Sequence, residues 1–315
     1  MEKILSQRFG QICPTDIDFC SLRFVEERTE IISVRKGVLE PLQKDIDAGV
    51  MITVHHNGGL GYAATPDLSI SGLQRALGKA RKWAEISAGR AVLNTQELNL
   101  AHGKGEYSSL VLRSWNDVSL AEKLDVLNQV DKALPIDSRI VDWSTSFMNV
   151  QTKSIYLTNK GGKIIQEWEM LAPDVLAVAH ANGETQKRSF GSRGVSQQGG
   201  WEILADTGFT TSPERIASEA IALLEAPNCP SGVMDLILMP DQMMLQIHES
   251  IGHPLELDRI LGDERNYAGT SFVTEDMFGS YQYGSELLNV TFDPTVSNEF
   301  ASYNFDAHGT KAEKK

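Results

Sequence analysis

Alternating apolar and polar positions predict β-strands in two stretches of the chain. The first covers residues 30–64, where an Asn57-Gly58 pair between two β-prone runs indicates a hairpin. The second covers residues 140–179, where alternation and a Gly-Gly turn signal predict three or four antiparallel strands. A glycine-rich loop over residues 191–200 follows these strands.

Apolar positions three and four apart predict helices around these strands. One helix should run from about Ser69 to Ser87. Another begins at a capping-box pair, Ser119 and Glu122, and stops at Pro135. The apolar stripes of the two helices are Leu73, Leu77, Ala80 and Ala84 in the first, and Leu120, Leu124, Leu127 and Leu134 in the second.

The last third of the chain begins after a helix that Pro213 opens. Residues 226–232, "APNCPSG", carry two prolines and a glycine and give the best domain boundary in the sequence. Beyond this boundary, "VMDLILMP" (233–240) predicts a buried strand. Pro240 then opens a helix that runs into His248.

Strands and helices occur in blocks and do not alternate strictly, which favours an α+β fold. We expect mainly antiparallel or mixed sheets with helices packed on them. Three units are predicted: an N-terminal α+β domain (1–115), a central β-rich region with flanking helices (116–226) and a C-terminal domain (230–315). Residues 88–117, which are polar and rich in Gly and Asn, are predicted to connect the first two units.

Composition excludes several classes of protein. A net charge of −13 and a pI near 5.0 argue against a nucleic-acid-binding protein. The sequence has no apolar run of membrane-spanning length and no signal-peptide core, so we expect no membrane partner. Cys13, Cys20 and Cys229 are odd in number and lack metal-site spacing, so a reduced, cytoplasmic protein is expected.

Two weaker candidate sites lie in the predicted hairpin. Residues 59–64, "GLGYAA", formally match a dinucleotide-binding fingerprint. That fingerprint belongs between a strand and a helix, whereas these glycines follow a hairpin turn and lead into a strand. We therefore predict a hairpin and no nucleotide cofactor. His55 and His56 are adjacent in a strand, so they point to opposite faces and cannot share a metal ion.

The stretch "QIHESIGHPLELD" carries the strongest candidate site, formed by His248, Glu249 and His253. Neutral imidazoles bind zinc, which lowers the pKa of a bound water molecule to about 7. The Glu249 carboxylate can then act as general base, taking the proton from that water and passing it to a leaving amine. The competing interpretation is two polar residues on a helix surface and an unrelated histidine at the helix end.

Spacing is the difficulty, because residues five apart on a regular α-helix diverge by about 140°. A π-type turn would bring His248 and His253 above one another. Alternatively, the helix ends near Gly252 and His253 returns from non-helical backbone. Pro254 favours the second arrangement, because proline disfavours α geometry in the residue before it. Either way, we predict a broken or bulged helix over residues 250–253.

The segment "HESIGHPLELD" resembles the His-Glu-x-x-x-His motif of the TldD/PmbA family of metallopeptidases, in its TldD-type branch. That branch continues with Leu-Glu-x-Asp, which here is Leu255, Glu256 and Asp258. The similarity extends over nearly all of the chain. Other segments that resemble the family are "GGLGYAATPDLSISGLQRALGKA", "TNKGGKIIQEWEM", "GSRGVSQQGGWEIL" and "DPTVSNEFASYNFDAHGTKAEK".

The resemblance implies a zinc-dependent metallopeptidase that hydrolyses unfolded or extended peptides. It implies that His248 and His253 are metal ligands and that Glu249 is the catalytic base. It also implies dimers, either homodimers or pairs of a TldD-type subunit with a TldD/PmbA-type partner.

The family's third protein ligand is a cysteine in a glycine-rich stretch near the C-terminus. No such stretch occurs before Lys315, so we expect a C-terminally truncated chain with an incomplete catalytic domain. Glu256 or Asp258 could serve as a substitute ligand, although support of a ligating histidine is the more usual role of such carboxylates. The alternative function is a non-catalytic peptide-binding or dimer-partner subunit with a vestigial metal site.

Overall fold

The computed structural model describes residues 1–90, 92 and 94–315; Ala91 and Leu93, in the predicted connection 88–117, lie outside the described residues. The strands are β1 (Phe19–Arg35), β2 (Val38–Leu39), β3 (Gln43–His56), β4 (Gly59–Thr65), β5 (Lys104–Ser108), β6 (Ile140–Thr158), β7 (Lys163–Ala181), β8 (Glu184–Ser189) and β9 (Gln197–Gln198). The helices are α1 (Glu2–Ile12), α2 (Ile70–Ser87), α3 (Leu120–Lys132), α4 (Ile203–Asp206), α5 (Pro213–Leu223), α6 (Pro240–Ile247) and α7 (Leu257–Leu261).

A single large sheet organises the molecule. Its central strands follow the order β4-β3-β1-β6-β7-β5, and β2, β8 and β9 pair with its longer strands. Every pairing is antiparallel except that of β5 with β7. This mixed, mainly antiparallel sheet with helices packed on it confirms the predicted α+β class.

The predicted hairpin joins β3 and β4. Asn57 and Gly58 both have positive φ, 51° and 81°, as a two-residue hairpin turn requires. A Cβ added at Gly61 would lie 2.0 Å from the carbonyl oxygen of Ala80 and 2.4 Å from the backbone nitrogen of Ala84. The glycines of "GLGYAA" therefore allow α2 to pack directly on β4, and the hairpin prediction is confirmed.

Both hydrophobic clusters of the core lie on one face of the sheet. One cluster packs α1 and α2 on β1, β3 and the end of β6. The other packs α3, α4 and α5 on β1, β6 and β7. On β1 both clusters use even-numbered residues, from Cys20 to Val34, and alternate residues of a strand share a face. The opposite face, which carries Arg23, receives none of these helices.

Part of that helix-free face is covered by residues near the C-terminus. The side chain of Gln166 on β7 donates to the carbonyl of Phe305 at 2.9 Å. The indole of Trp168, two residues along the same face, donates to the carbonyl of Ser302 at 3.0 Å. These contacts fix the segment around 302–305 against β7.

Residues 140–179 form fewer strands than predicted: two long strands, β6 and β7, where three or four were expected. Pro173 lies within β7, opposite Phe147. On its other side β7 pairs with β9 at residues 170–171 and with β8 at residues 176–181, so Pro173 falls between the two ladders. The strand consequently continues through the proline.

Two further predictions were wrong. The connection 88–117 contains a strand, β5, whose parallel pairing with β7 depends on contacts distant in sequence. The predicted buried strand at 233–240 is not formed, because no described residue supplies a strand to pair with it. Its apolar side chains, including Leu236 and Ile237, are exposed.

The division into three domains stays a prediction, since one sheet takes strands from both of the first two predicted units. Among the described residues, none of the helices combines the length and apolar character needed to cross a bilayer.

Candidate metal centre

The motif residues lie where α6 changes its winding. Pro240 stands in the first turn of α6, as predicted, and the helix is α-helical to Ile247. A π-helix then spans His248–Gly252, and a 3-10 turn follows at His253–Leu255. The predicted bulge is thus present in the structure.

The bulge takes the π-type form. The backbone N–H of His253 donates to the carbonyl of His248, five residues earlier. His253 has φ −60° and ψ −45°, so it keeps helical backbone although proline follows it. The arrangement that Pro254 seemed to favour, with His253 on non-helical backbone, was therefore wrong.

A tyrosine replaces the hydrogen bond that proline removes. Pro254 has no N–H to offer the carbonyl of Ser250, four residues earlier. The hydroxyl of Tyr283 donates to that carbonyl at 2.5 Å. In addition, the hydroxyl of Ser271 donates to the carbonyl of Pro254 at 2.7 Å. These two bonds fix the bulge against the chain that follows it.

The π-turn brings the three motif side chains together. The rings of His248 and His253 lie with centroids 4.3 Å apart at 71°. One potential ligand atom from each of His248, Glu249 and His253 falls in a group whose members lie within 4.8 Å of one another. Nitrogens that bind one zinc ion at about 2.1 Å lie no more than about 4.2 Å apart, so small side-chain rotations suffice for shared binding.

The site is open to solvent on the side of His248 and Glu249, whose side chains are 59% and 61% exposed. The Glu249 carboxylate lies 3.9 Å from Nε2 of His248. His253 is more enclosed, with 33% of its side chain exposed. Exposure of this kind leaves room for a substrate and a water molecule beside the two imidazoles.

Glu256 and Arg259 hold the His253 ring from behind. Nδ1 of His253 lies 2.8 Å from a Glu256 oxygen, and the other Glu256 oxygen accepts from Nε of Arg259 at 2.5 Å. We assign the Nδ1 proton to the Glu256 contact, which leaves the Nε2 lone pair of His253 for a metal. Arg259 also lies 3.3 Å from Nδ1 and donates to the carbonyl of Ala268 at 3.2 Å.

The hydrogen bonds to Arg259 and, secondly, to His253 hold the pKa of the Glu256 carboxyl below its ordinary value. The Glu256 side chain in turn raises the pKa of Arg259. Glu256 therefore carries a negative charge beside the His253 ring at neutral pH, in the arrangement that orients a ligating histidine.

Arg259 and Tyr283 were missed from the sequence. The Glu256–Arg259 pair has the i,i+3 spacing typical of helical ion pairs, so a local signal existed. Tyr283 lies thirty-three residues after Ser250, and no local pattern connects the two. Asp258 contacts neither motif histidine; its potential ligand atom groups instead with those of Glu256 and Glu264.

Comparison with known proteins agrees with the motif. Three domain models of one family match in succession: PmbA/TldA metallopeptidase domain 1 at residues 20–84, the central domain at 113–226 and the C-terminal domain at 231–315. A metalloprotease of Methanothermobacter thermautotrophicus is 28% identical over 300 residues, covering 94% of this chain and 61% of the relative. A TldD homologue of Haemophilus influenzae is 21% identical, covering 95% of this chain and 60% of the relative. The chain thus spans about three fifths of the length of the curated relatives it matches.

Solved structures share the fold. A Thermotoga maritima protein, titled as a candidate modulator of a DNA gyrase, superimposes with a TM-score of 0.69 at 17% identity, over 100% of this chain and 67% of its own. The TldE protein of Thermococcus kodakarensis gives a TM-score of 0.50 at 14% identity, over 69% of this chain and 47% of its own. Since three consecutive domain models of one family match, the chain belongs to the PmbA/TldA metallopeptidases, the TldD/PmbA family that its sequence resembles.

Proposed function

We propose that this chain carries the metal-binding part of a zinc metallopeptidase that hydrolyses unfolded or extended peptides. His248 and His253 would hold the ion, and Glu249 would act as general base. The observation that carries the proposal is the π-turn, which brings two imidazoles and a carboxylate into one exposed group. The metalloprotease names of the relatives support the same reaction class.

Each side chain has a distinct task in this proposal. A bound zinc ion would supply Lewis acidity toward a water molecule and a peptide carbonyl. Glu249 would accept a proton from the attacking water and deliver it to the leaving amine. Glu256 would keep the His253 ring in one orientation and one tautomer through the 2.8 Å contact to Nδ1.

The donor set fits zinc but has two imidazoles where catalytic sites usually have three protein ligands. The two acidic side chains nearest to them, Glu249 and Glu256, have the other tasks described above. Within the described residues, no cysteine joins the group formed by His248, Glu249 and His253. The family resemblance implies that a cysteine in a glycine-rich stretch is the third ligand, and this part of the metal site stays a prediction.

The proposal extends to partners and location. Exposed apolar side chains are frequent in the C-terminal third, among them Val233, Ile237, Tyr267 and Leu287. Large exposed apolar surfaces mark interaction sites, which supports a homodimer or a pair with another TldD/PmbA-type subunit. The three cysteines are free thiols, which supports a reducing, cytoplasmic setting.

A second function is a non-catalytic peptide-binding or dimer-partner subunit with a vestigial metal site. It is supported by the presence of two imidazole ligands where catalytic zinc sites usually have three protein ligands. It predicts that zinc, if bound, brings no hydrolysis. The two functions therefore differ in whether hydrolysis occurs and depends on Glu249 as general base.

The test uses the purified full chain, loaded with zinc, and a fluorescent unfolded casein substrate. Glu249→Gln should lower the hydrolysis rate by about a hundredfold or more, because general-base contributions have that size. Its zinc content should stay unchanged. Glu184→Gln, which makes the same charge change on β8 and outside the group of motif side chains, should leave the rate unaltered. Equal rates for Glu249→Gln and the unsubstituted chain, or no hydrolysis by the zinc-loaded chain, would favour the second function.

A further inference from the structure

A cavity of about 630 Å³ lies on the helix-free face of the sheet. Its floor is formed by the neighbouring strands β4, β3, β1 and β6. Its walls are formed by Ser87, Arg90, Thr95, Leu98, Leu100, Asp263, Ala307 and His308. This volume falls in the range of about 300–1,000 Å³ that small ligands and short peptide segments occupy.

The strand register explains why these side chains meet. Arg23 on β1 pairs with Met51 on β3 and with Tyr156 on β6. Phe19 pairs with His55, which pairs in turn with Leu60 on β4. All of them point away from α1 and α2, because the alternate residues of β1 and β3 fill the core on the other face.

The floor is mostly apolar and stays accessible. Met51 on β3 and Leu60 and Tyr62 on β4 line this floor and are 38%, 40% and 63% exposed. Adjacent exposed apolar side chains in a concave site are typical of a binding surface.

Arg23 is the cation on this floor, and Arg90 is a second arginine that lines the cavity wall. Its guanidinium carbon lies 4.9 Å from the centroid of the Tyr156 ring, in a cation–π arrangement. None of the salt bridges between described residues includes Arg23, although the charge of Asp306 acts on it. Burial lowers the pKa of Arg23, as expected for a charge without a close carboxylate.

One residue connects the cavity to a recess beside the candidate metal centre. Asp263 lines its wall and also lines a neighbouring recess of about 440 Å³. Glu256 and Leu257 line that recess as well, and Glu256 is hydrogen-bonded to His253. The cavity is therefore linked to the metal-binding segment through Asp263 and this recess.

We propose that this cavity binds peptide segments in which a carboxylate stands next to apolar side chains, with the carboxylate held by Arg23. A guanidinium pairs with a carboxylate through two charge-assisted hydrogen bonds, while Met51, Leu60 and Tyr62 cover the apolar groups. The inference names a substrate class for the proposed peptidase and rests on that function. The carboxylate comes either from a peptide C-terminus or from an acidic side chain.

The test measures binding to the metal-free full chain by fluorescence polarisation, so that it does not depend on catalysis. Three fluorescein-labelled peptides are compared: Gly-Leu-Phe-Leu with a free C-terminus, its C-terminal amide, and the amide of Gly-Leu-Phe-Glu-Leu. The free acid or the glutamate peptide should bind at least about tenfold more tightly than the plain amide, the size expected for charged hydrogen bonds. Whichever of them does so identifies the source of the carboxylate.

Variants test whether Arg23 causes the preference for peptides that carry a carboxylate. Arg23→Gln should remove the preference for the carboxylate, and Arg23→Lys should keep part of it. Arg28→Gln is the matched control, because Arg28 lies on the same strand but outside the cavity and contacts Glu26. Equal affinity for all three peptides, or an undiminished preference in a folded Arg23→Gln protein, would overturn the inference. Loss of hydrolysis in the Glu249 test would not alter this binding, so failure of either proposal can be recognised separately.

Discussion

Glu256→Gln tests whether the second carboxylate of the motif orients His253. The substitution keeps the shape of the side chain but removes the charge that faces both His253 and Arg259. Loss of such support typically weakens metal affinity by about 10–100-fold. Because 38% of the Glu256 side chain is exposed, solvent replaces part of the interaction. We therefore expect the lower end of that range, about a tenfold weaker zinc affinity.

The assay is competition for zinc against a fluorescent chelator at pH 7.5, with Asp258→Asn as control. Asp258 carries the same charge two residues away, and its carboxylate accepts a hydrogen bond from the backbone N–H of Arg259. Asp258→Asn should change zinc affinity by less than about twofold, well below the loss expected when the support of His253 is removed. An unchanged affinity in Glu256→Gln, or an equal loss in both variants, would refute the orienting role.

Two further predictions concern stability, measured as the free energy of unfolding in urea. Gly61→Ala should lower it by about 3 kcal/mol, because the new Cβ would meet the Ala80 carbonyl oxygen at 2.0 Å. Gly78→Ala, at an open position in α2, should raise it by about 0.5–1 kcal/mol. If both substitutions changed the free energy of unfolding in the same direction, the packing argument would be contradicted. Burial lowers the pKa of His55, so the unfolded chain takes up the proton first, near pH 6.5, and stability should fall as pH drops from 7.5 to 5.5. His55→Gln should weaken the dependence of the free energy of unfolding on pH. An unchanged pH dependence in this variant would contradict the role given to His55.

Local chemistry made much of the fold predictable. Asn57 and Gly58 specify the hairpin because both adopt positive φ, which few other residues tolerate. Ser119 caps α3 as predicted, accepting a hydrogen bond from the backbone nitrogen of Glu122 at 3.2 Å. The Glu122 side chain departs from the capping box, because it binds Arg113 instead.

Features set by distant contacts could not be predicted in this way. The pairing of β5 with β7 joins residues about sixty apart, and its sequence, "KGEYS", has no strong strand pattern. Residues 233–239 have the apolar character of a buried strand, yet a strand needs a partner before it can form.

The candidate site was predictable in its residues but only partly in its geometry. The sequence predicted that His248, Glu249 and His253 come together across a bulge, and the structure shows this grouping and a π-turn, while their metal-binding roles stay a prediction. Pro254 indicated a helix end, whereas the structure continues the helix through a π-turn and replaces the missing donor with Tyr283. The cavity around Arg23 left no local signal, because its lining comes from strands and loops far apart in sequence.

Zinc titration of the metal-free full chain by calorimetry tests the central claim most directly, since it asks whether His248 and His253 bind one ion together. The account predicts one zinc ion per chain, with affinity at least about tenfold weaker in His248→Ala and in His253→Ala, because each variant removes one ligand. His180→Ala is the control: it removes a histidine of β7 whose ring is hydrogen-bonded to Thr185 on β8. This variant should titrate like the unsubstituted chain. No stoichiometric zinc binding, or binding that survives both motif substitutions, would contradict the account.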